Sequence, residues 1–234
     1  MTLILFDVDG TLTATNACDA KCYALAFERV FGMPLPTTDW DQYVHATDSG
    51  IIHEVMEKLR GSKGTSEEIA AFERAFVEEL EKEFAANPGG FNEIPGAKAI
   101  LAAIHARPGF AAGIASGGMR ASACYKLSRI GVDGMALPSS YANDDVTREG
   151  IARCAMARAE DPGEDVVYVG DGPWDVRTSA AIGMRFIGVT GDAAPEWTPL
   201  YNQGATVCIR DFQDQDAFFR AVESARTPQC PRPG

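Results

Sequence analysis

The sequence lacks the features that would place a protein in a membrane or in a secretory compartment. No run of apolar residues approaches the length that spans a bilayer. The apolar run at the amino terminus has no basic flank and no cleavage site of small residues, and it stops at Asp7. We therefore expect no export and no membrane partner, and we expect the protein to be cytoplasmic.

Cysteine pairs and clustered histidines are also missing. The six cysteines form no CxxC pair, and without export they are expected to be reduced thiols. Cys18 and Cys22 would share a helix face, but no further Cys or His stands nearby to complete a metal site, so we expect them to pack in a core. His45, His53 and His105 are scattered along the chain. A redox or metal-thiolate function is therefore disfavoured.

Positive charge is scarce. The chain has 21 Lys and Arg against 33 Asp and Glu, a formal net charge of −12. Proteins that bind nucleic acids present basic surfaces, so we expect no nucleic-acid partner. The molecule as a whole gives a phosphorylated ligand no long-range attraction. Any site for such an anion must therefore be local and assisted by a metal ion.

The composition is otherwise that of a globular protein. The 234 residues are 46% hydrophobic and 23% charged, which is enough for one large domain or for a domain with an insert. A short apolar run at residues 3–6 predicts a buried strand. In open α/β sheets, ligands bind at the carboxyl ends of the strands, so chemistry is expected just after this run.

Two acids and a glycine follow that first strand. Side chains alternate along an extended chain, so Asp7 and Asp9 start on the same face. Two carboxylates held close together repel each other, and the site should hold a cation, a proton or both. The alternative interpretation is an acidic turn in which Gly10 takes a positive φ and Thr11 bonds the turn.

Residues 14–90 contain no candidate strand, and their apolar residues recur at helical spacing. Apolar residues recur at helical spacing up to Phe31 and again from Ile51 to Leu59. A third helix should begin at Thr65, where Glu68 completes a capping box. We expect these helices to form a separate domain.

Helices and strands alternate after that block, which predicts an α/β fold with a Rossmann-like, doubly wound parallel sheet. The core should comprise residues 1–13 and 91–226, followed by a Pro-rich tail at 227–234. The expected strands cover residues 110–115, 136–141, 166–169, 185–189 and 206–209. The expected helices cover residues 97–106, 120–130, 148–159, 173–183 and 213–224.

The stretch Asp7-Val8-Asp9-Gly10-Thr11 resembles the first motif of the haloacid dehalogenase superfamily. That family also carries a helical cap inserted after this motif, which the helical block of residues 14–90 resembles. The cap sequence is most similar to that of phosphoglycolate-phosphatase-like members.

The other three family motifs have counterparts in the expected order. Ser116 follows an apolar strand, as the second motif does. Asp171, after a strand and a glycine, and Asp175 one helical turn later match the fourth. The third motif is usually a lysine; Arg148 stands at its place, and Lys126 is a rival.

The resemblance implies a role for each of these residues. Asp7 would be the nucleophile and Asp9 the general acid and base. The expected ligands of a Mg²⁺ ion are Asp7, Asp9 through its backbone carbonyl, Asp171 and Asp175. The expected phosphate-binding residues are Thr11, Ser116, Gly117, Gly118 and Arg148.

The residue types suit these roles. A helix amino terminus after Ser116 would attract phosphoryl oxygens, and an arginine would bind them bidentately. Structural alternatives remain for each residue. The Ser-Gly-Gly turn is also an ordinary strand-to-helix connection, and Asp175 is also an acid favoured by a helix dipole. Arg148 would alternatively pair with Glu149 or Asp145 at the surface.

A polar turn within the helical block is expected to contact the substrate, through Thr47 and Asp48 in particular. The alternative is that Asp48 or Ser49 only caps the following helix. Thr13 and Asn16 are further options for a substrate contact.

We therefore expect a phosphatase for a small phosphorylated metabolite that acts through an aspartyl-phosphate, as a monomer or homodimer. Asp9 argues against a dehalogenase or a phosphonatase, which lack an acid there. Pyrophosphatases and hexose-phosphate mutases of the same superfamily keep this acid and remain alternatives. A non-catalytic binding or regulatory protein of this fold is the alternative from another class. Such a protein would be expected to lack at least one of the motif acids, and this sequence keeps all of them.

Overall fold

The computed structural model describes residues 1–159, 165–191 and 199–229. Within these residues the strands are β1 Thr2–Phe6, β2 Phe110–Ala115, β3 Ser139–Ser140, β4 Asp165–Gly170, β5 Arg185–Val189 and β6 Cys208–Ile209. They form one sheet in the order β3-β2-β1-β4-β5-β6, and every neighbouring pair is parallel. The first strand of the chain therefore lies in the middle of the sheet, between β2 and β4.

Helices cover the sheet and form the block between β1 and β2. In the described residues they are α1 Asn16–Phe31, α2 Asp48–Arg60, α3 Ser66–Ala86, α4 Ala97–Ala106, α5 Arg120–Arg129, α6 Arg148–Arg158, α7 Pro173–Ile182, α8 Pro199–Asn202 and α9 Gln215–Ser224. This confirms the expected α/β fold with a parallel, Rossmann-like sheet.

Both faces of the central strand are buried. Ile4 and Phe6 belong to an apolar cluster on one face of the sheet, and Leu3 and Leu5 belong to a second cluster on the other. Side chains of a strand alternate between faces, so a parallel strand covered on both sides must be apolar at every position. This is why the run before Asp7 is uninterrupted.

The helical block has an apolar core of its own. Tyr23 and Phe27 of α1 and Phe72 of α3 are fully buried in it, together with Cys22. The capping box at the start of α3 is present as expected, because the Thr65 hydroxyl accepts from the N–H of Glu68 and the Glu68 carboxylate accepts from the N–H of Thr65. The cysteines of α1 are buried in packing, as expected.

The edge strands are shorter than the sequence indicated. β3 and β6 each comprise two residues, whereas strands were expected over residues 136–141 and 206–209. Each pairs on one side only, and β3 meets only the last residues of β2, Ile114 and Ala115. Leu137 and Val207, before the short strands, pack against the core, and the carbonyls of Pro138 and Val207 accept from the N–H groups of Ile114 and Gly188.

Short helical turns escaped the periodicity analysis. α8 and the 3-10 turns Trp40–Gln42 and Pro88–Phe91 are too short to show a helical repeat. Of the expected tail, residues 230–234 lie outside the described residues. In the parts of the chain that the structure describes, no helix has the length and apolar composition needed to cross a membrane.

Candidate active site

The carboxyl ends of three neighbouring strands bring the expected site residues together. Asp7 follows β1, Ser116 follows β2 and Asp171 follows β4, and the register pairs the last residue of β1 with Ile114 and Val169. A cavity of about 470 Å³ opens at this edge, and these three side chains line it. Residues from the helical block, including Trp40, form the opposite wall.

Asp7 is held on both sides. Its side chain is almost fully buried, Oδ1 accepts a 2.8 Å hydrogen bond from the N–H of Val8, and Oδ2 accepts one of 3.2 Å from Nη1 of Arg148. A backbone bond and a guanidinium bond therefore fix the direction of this carboxylate.

Three acids form a cluster that suits a metal ion. Ligand oxygens of Asp7, Asp171 and Asp175 lie within 4.8 Å of one another. Burial, together with the negative charges of Asp175 and Asp7, raises the pKa of Asp171 well above its ordinary value. A hard divalent cation takes oxygen ligands and would supply the positive charge that this cluster lacks, so the donor set fits Mg²⁺. The Asp9 carboxylate does not belong to the cluster, which is compatible with the expected contribution of its backbone carbonyl.

Asp175 caps a helix and also belongs to the acid cluster. Oδ2 accepts from the N–H of Gly172 at 3.0 Å and so caps α7, while Oδ1 accepts from Nη1 of Arg148 at 2.6 Å. Burial raises the pKa of Asp175 to about 7, although the Arg148 charge opposes the shift. Because both of its oxygens are engaged, Asp175 orients Arg148 as well as contributing charge to the cluster.

Arg148 lines the cavity beside two of the clustered acids. It is the first residue of α6, its Nη1 contacts Asp7 and Asp175, and its Nε donates to the Ala46 carbonyl at 2.8 Å. The carboxylates that it contacts are these buried acids, in place of the surface partners Glu149 and Asp145. Arg148 therefore lies beside the clustered acids, and its assignment to the family's third motif stays a prediction.

The rival residue, Lys126, lies behind Asp9 and Asp19, two acids that line the cavity. Its side chain on α5 is fully buried, and its Nζ lies 2.5 Å from Asp9 Oδ2 and 2.5 Å from Asp19 Oδ1. Asp9 also accepts a 2.5 Å hydrogen bond from the Thr15 hydroxyl. The proposed acid and base is therefore held by a hydroxyl and by an ammonium group.

Asp19 is a site residue that the sequence analysis missed. It lines the cavity, and burial, followed by the charge of Asp9, raises its pKa to about 7. Its only signal in the sequence is its position one helical turn after Thr15, which looks like an ordinary acid in the first turn of a helix. Trp40 and Trp174 also line the cavity and carry no motif.

Two glycines are required by close approaches. Gly10 has φ +72°, and a Cβ there would lie 1.9 Å from Asp171 Oδ2. A Cβ on Gly117 would lie 2.5 Å from Nη2 of Arg148. Beside it, the Ser116 hydroxyl accepts from the N–H of Gly118 at 3.2 Å. The turn after β2 is thus shaped to pass under the guanidinium.

Thr11, Thr13 and Asn16 bond other residues of the protein. The Thr11 hydroxyl donates to Asp171 Oδ1 at 3.3 Å, and Asn16 Nδ2 donates to Asp171 Oδ2 at 3.0 Å. Thr13 is fully buried and donates to the Val8 carbonyl. These contacts place Thr11 and Asn16 beside the cluster of acids.

The polar turn of the helical block caps two helices. Thr47 Oγ1 accepts from the N–H of Gly50 and donates to the Val146 carbonyl, so Thr47 is the N-cap of α2 in place of the expected Asp48 or Ser49. Asp48 Oδ2 accepts from the N–H of Met119 at the start of α5. Thr47 and Asp48 also line the cavity.

Comparison with known proteins agrees with this geometry. The family model described as haloacid dehalogenase-like hydrolase matches residues 4–189. No match was found among curated proteins.

Solved structures with the same fold cover nearly the whole chain. A hydrolase from Pseudomonas syringae is 18% identical with a TM-score of 0.70, covering 94% of this chain and 98% of its own. A predicted phosphoglycolate phosphatase from Haemophilus somnus is 18% identical with a TM-score of 0.56, covering 93% and 97%. CbbY from Rhodobacter sphaeroides, in complex with phosphate, is 17% identical with a TM-score of 0.63, covering 91% and 95%. At these identities the likeness shows the fold.

Proposed function

The chain belongs to the haloacid dehalogenase-like hydrolase family, and from this premise we propose that it is a Mg²⁺-dependent phosphomonoester hydrolase acting through an aspartyl-phosphate. The observation that carries the proposal is the contact of Arg148 with Asp7 beside Asp171 and Asp175. A carboxylate nucleophile, a cation that would bind the phosphoryl group and a set of carboxylates that would bind Mg²⁺ then lie in one cavity. Its substrate would be a small phosphorylated metabolite.

Asp7 would attack phosphorus. The N–H of Val8 and the guanidinium of Arg148 hold the Asp7 carboxylate in one orientation. This lowers the entropy cost of aligning the carboxylate for attack. The new P–O bond forms at Asp7 as the bond to the leaving alcohol breaks, which gives an aspartyl-phosphate.

Asp9 would handle the protons. It would protonate the leaving oxygen and then remove a proton from the water that cleaves the aspartyl-phosphate. Thr15 and Lys126 hold its carboxylate in the wall of the cavity.

The phosphoryl oxygens would meet donors at the carboxyl end of β2. Ser116, Gly117 and Gly118 line the cavity and would supply a hydroxyl and backbone amides, and Arg148 supplies a charge that does not titrate. Asp7, Asp171 and Asp175, with the Asp9 carbonyl, would hold Mg²⁺, which when bound neutralises phosphoryl charge.

We further propose that residues 14–90 form a cap over this cavity. Three of the contacts between the block and the core lie beside the cavity: the Asp48 N–H donates to the Gly117 carbonyl, the Asp48 carboxylate accepts from the N–H of Met119, and the Ala46 carbonyl accepts from Arg148. They hold the cap against the turn that binds phosphate. A closed cap would keep water away from the reaction.

Turnover of p-nitrophenyl phosphate with and without Mg²⁺ tests this function. We expect Mg²⁺ to support activity, excess chelator to abolish it, and Asp7→Asn to lower kcat by at least about 10³-fold because an amide is a poor nucleophile. Ca²⁺ should substitute poorly because it takes looser coordination. Asp41→Asn, an exposed acid paired with Arg177, is the matched control and should keep full activity. Full activity in excess chelator, or in Asp7→Asn, contradicts the proposal.

A further inference from the structure

Most of the charged side chains that line the active-site cavity are acidic. Its acidic side chains are Asp7, Asp9, Asp19, Asp48 and Asp171, and among the described residues Arg148 is the only lining residue with a cationic side chain. That guanidinium already contacts Asp7 and Asp175. No lining cation is therefore left to meet a second negative group on a substrate.

The acids divide between the two ends of the cavity. Asp7 and Asp171 belong to the cluster that would take the metal ion and the phosphoryl group. The other three acids, Asp9, Asp19 and Asp48, also line the cavity, and the proposed role of Asp9 as the proton donor would put the leaving group on their side. A methyl group built on Gly118 would lie 3.9 Å from Asp48 Oδ2 and 4.0 Å from Asp9 Oδ2, so both carboxylates approach the same space.

Among the described residues, Lys126 is the only cation that contacts any of these three acids. Lys126 bonds Asp9 and Asp19, and it is fully buried behind them. The third acid, Asp48, accepts a neutral backbone N–H from Met119. Three carboxylates thus share one ammonium charge, and a deficit of positive charge remains at the side where a substrate's leaving group would lie.

The rest of this wall is apolar and aromatic. Ala17, Ala20 and Ile51 line it together with the indole of Trp40, whereas the indole of Trp174 lies against Arg148, whose guanidinium carbon is 5.4 Å from the ring centroid. Indole rings attract organic cations, and an indole offers a carboxylate only one N–H. An ammonium group on a short carbon chain matches this combination of carboxylates, one indole and small apolar side chains.

We infer that the substrate is the phosphate monoester of a short amino alcohol, whose ammonium group faces Asp19 and Asp48. The inference rests on the proposed phosphatase function and gives its substrate class. The reaction is the hydrolysis already described: the P–O bond to the amino alcohol breaks, Asp9 gives its proton to the leaving oxygen, and water releases the phosphoryl group from Asp7. A leaving group with a carboxylate or a second phosphate is disfavoured.

The protonation of the two acids agrees with this assignment. Burial raises the pKa of Asp19 to about 7, and burial with the charge of Asp19 raises the pKa of Asp48 well above its ordinary value. For both groups, the cost of burying the charge exceeds the stabilisation that Lys126 and the Met119 N–H supply to the charged form. A bound ammonium would add to that stabilisation, whereas a bound anion would add repulsion.

A series of three substrates with the same two-carbon length tests the charge preference. The compounds are 2-aminoethyl phosphate, 2-hydroxyethyl phosphate and phosphoglycolate, which differ in the charge of the distal group. We expect kcat/KM to fall in that order, with at least about a tenfold difference between the first and the last, because charges a few ångströms apart interact strongly in a partly buried site. p-Nitrophenyl phosphate serves as the reference substrate.

Variants identify the source of the preference. Asp19→Asn and Asp48→Asn keep side-chain shape and still accept from Lys126 and Met119. Each should reduce the ratio of kcat/KM for 2-aminoethyl phosphate to that for phosphoglycolate several-fold. Asp216→Asn removes one negative charge from the exposed first turn of α9 and should leave the ratio unchanged.

Each other outcome overturns a defined part of the account. If the wild type hydrolyses p-nitrophenyl phosphate but turns over phosphoglycolate as well as 2-aminoethyl phosphate, the amino-alcohol assignment is wrong and the phosphatase function stands. If both Asn variants keep the wild-type ratio, the cavity acids do not select the substrate. If no phosphate ester is hydrolysed with Mg²⁺, the proposed function fails and the inference fails with it.

Discussion

The ammonium of Lys126 lies 2.5 Å from a carboxylate oxygen of Asp9 and 2.5 Å from one of Asp19. Asp9 belongs to the loop after the central strand, whereas Asp19 belongs to the first helix of the helical block. One buried cation on α5 therefore joins the proposed general acid and base to the beginning of the cap.

Removing this cation should destabilise the protein. Lys126→Met would leave the carboxylates of Asp9 and Asp19 facing each other without a counter-charge, and breaking a buried pair in this way costs about 3–5 kcal/mol. The free energy of unfolding from urea titration measures the loss. The double variant Lys126→Met/Asp19→Asn should recover part of the stability, because one of the two charges is gone. A Lys126→Met protein as stable as the wild type would show that the contact contributes nothing.

Arg148 should matter for catalysis. Arg148→Ala removes the charge that contacts Asp7 and should lower kcat/KM about 10²–10³-fold, which is typical for a lost charged clamp. Arg148→Lys should recover part of the rate, since an ammonium can contact Asp7 or Asp175 but cannot also bond the Ala46 carbonyl in the same way. Arg177→Ala, at an exposed ion pair, is the control. An active Arg148→Ala beside an inactive Lys126→Ala would move the phosphoryl-binding role to Lys126.

Gly10 should be required for the site rather than for the fold alone. A Cβ at this position collides with Asp171, so Gly10→Ala should displace a proposed metal ligand and lower kcat/KM by at least about 10²-fold. Gly32 has nearly the same φ, +69° against +72°, and a Cβ there meets nothing within 4 Å. Gly32→Ala should therefore carry only the backbone strain, about 1–2 kcal/mol of stability, with normal kinetics. Equal kinetic effects from both variants would contradict this role for Gly10.

Asp19 should make stability depend on pH. Its pKa in the folded protein is about 7, whereas an unfolded chain gives about 3.9. Between these values the folded state binds the extra proton, so the stability that Asp19 contributes is present at low pH and is lost as the pH rises through 7. Asp19→Asn should remove up to about 1.4 kcal/mol per pH unit of that decline. Chelator-treated protein, unfolded in urea from pH 4.5 to 7.5, gives the comparison, and parallel curves for the two proteins would contradict it.

The parts of the site that follow strands could be predicted from the sequence. Asp7, Ser116 and Asp171 each come directly after an apolar run, and parallel strands place their carboxyl ends at one edge, so local pattern and topology together bring them to one cavity. The fold was predictable for the same reason. Whether these residues perform the roles that the family implies stays a prediction.

The contacts between distant segments could not be predicted. Lys126 and Asp9 are 117 positions apart, and nothing in the periodicity of α5 marks Lys126 as buried. The contact of Thr47 with substrate stays a prediction, but nothing in the sequence indicated that its hydroxyl would also cap α2 and donate to the Val146 carbonyl. Such pairings depend on how the helical block packs on the core, which a one-dimensional pattern does not contain.

The most direct test of the central claim is to trap the covalent intermediate. Wild-type protein is mixed with substrate and Mg²⁺, quenched in acid within the first turnover, digested and analysed by mass spectrometry. The account predicts a phosphoryl adduct on the amino-terminal peptide at Asp7, formed as fast as the alcohol is released and absent in Asp7→Asn. Steady turnover with no adduct at Asp7 at any quench time, or an adduct that persists in Asp7→Asn, would contradict it.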